Sequence, residues 1–176
     1  VNNALQMLPS FLGQNGARTY LLVAQTTSEQ RSGGGLVGSM GTLQTDHGQI
    51  QVGEFHHNED FINGSNGNAS EHAVFKGPLG FSFDIRDTFA VPDIARNAEM
   101  MNEAWQRSQY ACDVDGIVSV DPVFIQKMVE INGNVTLENG TVLTSEIPLN
   151  TCSTLSIRKF LYLYKTRISN TSPPPS

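Results

Sequence analysis

Gly116-Ile117-Val118-Ser119-Val120 followed at once by Asp121-Pro122-Val123 is the stretch that decides the fold. The first five residues are an apolar, β-branched run suited to a strand. Asp121 is a natural helix N-cap, and Pro122 occupies the first helical turn, where its missing N–H costs nothing. A strand that passes directly into a helix is the grammar of an α/β protein. The helix is expected to run from Pro122 to about Ile131 and to stop near Gly133.

Working outward, Val135–Leu137 and Thr141–Leu143 flank Glu138-Asn139-Gly140, and Asn-Gly favours a tight hairpin turn. Upstream, Asp93 can cap a helix reaching about Tyr110, with Ile94, Ala98, Met101 and Trp105 on one apolar face. Arg18–Gln25 reads as a buried strand, and Thr26–Gly35 as a polar loop ending in three glycines. Leu36–Thr45 and Gln49–Phe55, joined at Asp46-His47-Gly48, read as a β-hairpin. His56–His72, rich in Gly and Asn, reads as a surface loop, and Phe81–Asp84 as one more strand. Thr154–Ile168 has a helical stripe of Ile157, Phe160, Leu161, Tyr164 and Ile168. The expected architecture is a single α/β domain, residues 1–168, with a mixed central sheet and flanking helices. Ser169–Ser176, with three consecutive prolines, is a tail.

Composition narrows the function classes. With 11 basic and 17 acidic residues the chain carries a net charge of −6, and only 16% of it is charged, against about 25% in an ordinary domain. A pI near 5.1 argues against general nucleic-acid binding. The charge is also segregated. All 17 acidic residues lie at or before Glu146, with 7 basic ones, whereas Arg158, Lys159, Lys165 and Arg167 follow alone. The chain shows no apolar run long enough for a membrane span and no secretory leader. Cys112 and Cys152 have no metal-ligand spacing; a disulfide between them and two separate thiols both remain open, and the disulfide is favoured by the Ser/Thr/Asn-rich composition.

The candidate chemistry lies in two polar clusters. Glu29 and Arg31 stand at the end of a buried strand, where α/β sheets bind ligands, and Arg31 can hold a phosphate or carboxylate. Arg86-Asp87-Thr88 can bring a second cation beside it, though an internal Glu29/Arg31 ion pair or solvated loop, and a surface salt bridge or turn at Arg86–Thr88, are the more common explanations. Gly33-Gly34-Gly35 lacks the spacing of a nucleotide-binding loop and reads as a tight turn or a close backbone approach. His56, His57, Glu59, Asp60, Glu71 and His72 supply metal-ligand types without a defined spacing, and no metal site is expected from them. No GxSxG or other nucleophile-and-base pattern is present.

Taken together, Arg18-Thr19-Tyr20-Leu21-Leu22, Gln25, Glu29, Arg31, Gly34-Gly35 and Asp46-His47-Gly48-Gln49-Ile50 resemble the opening of a bacterial surface-protein family known only as domain of unknown function 4012. Val114-Asp115-Gly116-Ile117-Val118, Val120-Asp121-Pro122-Val123, Gly133–Leu137 and Asn139-Gly140 resemble its second signature. Thr26, Thr27 and Gly33 depart from that pattern. The resemblance implies an extracytoplasmic, cell-surface domain, anchored in the full-length protein by a membrane segment outside this chain.

The order of elements is also similar, more distantly, to that of the LytR-CpsA-Psr ligases, which transfer glycopolymers from polyprenyl-pyrophosphate carriers. That likeness implies a phosphate-bearing, lipid-linked glycan as partner, with Glu29, Arg31, Arg86 and Asp87 as the ligand-binding set; a cell-wall polymer or a protein bound without catalysis is the alternative. It implies magnesium only if the ligase chemistry holds. Gly33 stands where the ligases place a metal-binding Asp, and His56-His57 where they place Arg-Asp.

Overall fold

The computed structural model describes residues 2–61, 71, 73–74, 77, 84–136 and 142–144. Its helices are α1 (Asn2–Phe11), α2 (Ile94–Gln106) and α3 (Pro122–Asn132), and its main strands are β1 (Arg18–Arg31), β2 (Gly34–Asp46), β3 (Gln49–Val52), β4 (His56–His57) and β5 (Gly116–Val120). The strands form one mixed sheet in the order β3-β2-β1-β5, with β4 also on β2. β5 runs parallel to β1, with Leu22 opposite Val118, and the other pairings are antiparallel. The expected mixed sheet with flanking helices is therefore present, in a single α/β domain.

The strand-to-helix unit forms as its residues dictate. Asp121 accepts a hydrogen bond from the Phe124 N–H at 2.8 Å, Pro122 opens α3, and Gly133, at φ 85°, follows its last turn. After α3, Val135–Thr136 (β6) pairs with Val142–Leu143 (β7), while the turn joining them lies outside the described residues.

Alternation along β1 builds two cores. Leu22 and Ala24 face one side, where Leu43, Val52 and Phe55 meet Ile125 and Val129 of α3. Leu21 and Val23 face the other, where Val37 and Met40 meet Met101, Ala104 and Trp105 of α2, together with Phe61, Ile85 and Phe89. Each large apolar side chain removed from water in this way contributes about 1.5–3 kcal/mol.

Three sequence expectations need correction, and one helix has no counterpart among them. Thr26–Gly35 is not a loop: β1 continues to Arg31 and β2 begins at Gly34, so this stretch is the far end of a long hairpin. Register shifts between Ala24 and Gln25, and between Thr26 and Gln30, carry the pairing past Thr27, Ser28 and Glu29, so that Gln30 meets Gly35 and Arg31 meets Gly34. The start of the presumed surface loop is also ordered, because β4 adds to β2 and the 3₁₀ turn Asn58–Phe61 buries Asn58 and Phe61. On α2 the buried face is Asn97, Met100, Met101, Ala104 and Trp105, whereas Ile94 is 73% exposed at the first turn. Finally, α1 was not anticipated. Its end is tied to the β2–β3 turn, where Thr45 donates to the Phe11 carbonyl at 2.7 Å and the Gly48 N–H to that of Leu12 at 2.9 Å. The expected strand residues Phe81–Phe83, the helix Thr154–Ile168 and the tail all lie outside the described residues.

Candidate functional site

The hairpin tip is pinned by backbone hydrogen bonds before any charge is considered. The Gly33 N–H donates to the Phe89 carbonyl at 2.8 Å, and the Ser32 hydroxyl donates to that of Ala90. Both acceptors belong to the 3₁₀ turn Ile85–Ala90. That turn starts from a reciprocal cap: the Asp84 carboxylate accepts from the Arg86 N–H at 2.9 Å, and the Asp87 carboxylate accepts from the Asp84 N–H at 3.3 Å. The glycines permit the approach. A Cβ at Gly33 would stand 2.9 Å from the Asn97 amide, one at Gly35 only 1.9 Å from the Thr26 carbonyl oxygen, and Gly34 has φ 141°. The triplet is thus the place of close backbone approach that its composition suggested.

This docking brings together all four residues picked out from the sequence. Arg31 Nη2 donates to Glu29 Oε2 at 3.0 Å and to Asp87 Oδ1 at 3.1 Å. Arg86 Nε lies 2.9 and 3.1 Å from the two Asp84 oxygens, and its Nη2 also bonds Asp84. Arg31 and Asp87 are mostly buried, at 24% and 15% exposure, while Glu29 remains open at 57%. Two arginines and three carboxylates therefore form one rim, with Asp84 feeling the charge of Arg31 and Asp87 that of Arg86.

The two aspartates of this rim are pulled in opposite directions. Burial opposes ionisation of Asp84, but the hydrogen bonds and charge from Arg86 outweigh it and hold the carboxyl below its ordinary value. Burial dominates at Asp87 and pushes its carboxyl up, aided by the neighbouring Asp84 charge.

Two residues at the same turn were missed by sequence reasoning. Gln25 is 4% exposed; its Oε1 accepts from the Gly35 N–H at 3.0 Å, while its Nε2 is buried with no partner among the described residues. Asn97 is fully buried; its Nδ2 donates to the Val91 carbonyl at 2.9 Å, while its Oδ1 has no partner among the described residues. Arg31 Nε is likewise buried, without a partner among the described residues. The available signal was a polar residue on an apolar stripe: Asn97 stands four residues before Met101 and eight before Trp105.

The other candidates are dispersed. His56 stacks on Tyr110 with ring centroids 3.4 Å apart, His57 lies 4.0 Å from Glu59, and Glu71 is bound by Arg96 at 2.7 Å. His72 is outside the described residues, and among the described residues no three His, Cys, Asp or Glu side chains converge as a metal site. The magnesium implied by the ligase likeness does not fit the rim either. Glu29, Asp84 and Asp87 are each held by an arginine, which a divalent cation would have to displace. Asp115 serves as a local brace, accepting from the Thr19 N–H at 2.8 Å and from Arg18 at 2.6 Å. Cys112 is exposed before β5, and Cys152 lies outside the described residues.

No curated protein and no solved structure matches the chain, so the ligase likeness gains no support from either. The model of one family, described as a protein of unknown function (DUF4012), matches residues 15–155. That span holds the whole β1–β5 sheet, the hairpin tip and the charged rim, and the chain belongs to the DUF4012 family.

Proposed function

We propose that this domain is a non-catalytic binding module of the bacterial cell envelope, acting outside the cytoplasm, whose hairpin-tip rim takes the neutral, hydroxyl-rich part of a cell-wall polymer. One observation carries this reading: both arginines that would clamp a phosphate are already committed to carboxylates, in a network with one more acid than base. A phosphate arriving there meets net negative charge and must displace paired carboxylates. A sugar hydroxyl both donates and accepts, so it can add to paired Arg and Asp groups without breaking them. The low charge density of the chain supports an exposed envelope location.

Transfer from a lipid-linked glycan is the competing activity. Incubation of the full chain with a polyprenyl-pyrophosphate glycan, an acceptor cell wall and magnesium tests it. The expected result is no transferred sugar above a protein-free control. Transfer that disappears in Arg31→Ala would overturn the proposal.

A further inference from the structure

We infer that the site continues past Arg86 onto the 3₁₀ turn Asn58–Phe61, where His57 and Glu59 bind a second sugar unit of the polymer. Resting on the saccharide reading, this brings in two residues that the rim alone leaves unused. Both are held in place by buried neighbours. Asn58, between them, is buried and donates from Nδ2 to the Val37 carbonyl at 2.8 Å, and Phe61 stacks on Trp105 with ring centroids 6.0 Å apart. His57 is also the partner of Ser39 in the pairing of β4 with β2. The turn packs against Ile85–Ala90, which carries Arg86, and the Arg86 guanidinium feels the charge of Glu59 as well as those of Asp84 and Asp87. Solvent-open side chains thus lead from Glu29 through Arg86 to Glu59 and His57, at 57%, 45%, 78% and 61% exposure.

The hydrogen-bonding groups at this end suit a sugar. His57 Nδ1 accepts from the Glu59 N–H at 3.5 Å, so the neutral ring carries its proton on Nε2 and donates from there. Among the described residues the Glu59 carboxylate has no closer ionic partner than the His57 ring, at 4.0 Å, and its oxygens are open to accept. A donor and an acceptor side by side match neighbouring hydroxyls of a pyranose, each of which can both accept and donate. A phosphate placed there would face the Glu59 charge. A metal ion would need a third ligand, and among the described residues none converges on this pair.

Calorimetric titration of the full chain with chitobiose and with chitotetraose, two neutral oligosaccharides, tests the extension. Glu59→Ala and His57→Ala are each expected to weaken chitotetraose binding about fivefold, the loss of one hydrogen bond, and to leave chitobiose unchanged. Arg86→Ala weakens both sugars through the rim. If the Glu59 and His57 variants bind chitotetraose like the wild type while Arg86→Ala does not, the extension is refuted with the rim reading intact. Equal weakening of both sugars by those variants also refutes it, because the two residues then serve the first unit. If the wild type binds neither sugar, the saccharide reading fails and the extension with it. Both side chains are exposed, so their truncation leaves the fold in place and thermal unfolding at the wild-type temperature confirms it.

Discussion

Arg31 is a structural bridge. It ties the end of β1 to the 3₁₀ turn through Asp87, and most of that pair is out of water. Arg31→Ala would leave Asp87 buried without its cation, and a loss of about 1–2 kcal/mol is expected, between the values for exposed and fully buried pairs. Urea unfolding of Arg31→Ala, Asp87→Ala and the double variant measures it, and the two losses should not add. Acid titration should separate the aspartates. The depressed Asp84 carboxyl contributes stability that is present above the ordinary carboxylate value, near about 4, and is lost as pH falls through its lower native value. The raised Asp87 carboxyl does the opposite: its contribution is complete below the unfolded value and is lost as pH rises through its native one. Unfolding measured from pH 2 to about pH 6 should therefore show a shallower acid loss in Asp84→Asn than in the wild type. Glu29, Arg31, Arg86 and Asp87 were legible in the sequence because charged residues stand out in a charge-poor chain. Gln25 and Asn97 were not, since only the packed structure shows that both are buried beside the glycine turn.

Among the elements, the β5–α3 unit was the most legible, because every signal in it is local: β-branched run, capping Asp and Pro at the first turn. Asp121→Ala should cost about 1 kcal/mol in chemical denaturation, the value of one N-cap. The long hairpin was only half legible. Its inner half is apolar, but its outer half is polar and is held as strand by cross-strand pairing through two register shifts, which no local pattern encodes. A Cβ at Gly35 has no room against the Thr26 carbonyl, so Gly35→Ala should cost about 3 kcal/mol, near the upper end for overpacking. α2 was found with its apolar face misplaced at one end. Trp105→Ala should cost about 3–5 kcal/mol, whereas Ile94→Lys should change stability by less than about 0.5 kcal/mol. Thermal unfolding of the two variants side by side checks the face that the structure assigns.

At the scale of the molecule, the sheet is filled on both sides, by α3 on one and by α2 with the 3₁₀ turns on the other, and the candidate rim sits where the hairpin tip reaches the second layer. Periodicity made the mixed α/β class legible. The meeting of Glu29 and Arg31 with a turn more than fifty positions away depends on tertiary docking, which sequence spacing does not encode. The net charge of −6 has a local counterpart, since the rim itself pairs two arginines with three acids. This charge pattern, and not the presence of arginines alone, separates a phosphate clamp from a site for neutral hydroxyls. Co-sedimentation of the full chain with bacterial cell walls, before and after hydrofluoric acid removes their phosphate-bearing polymers, is the most direct test. The account predicts equal binding to both walls, reduced in Arg86→Ala; binding that vanishes from the stripped walls would contradict it.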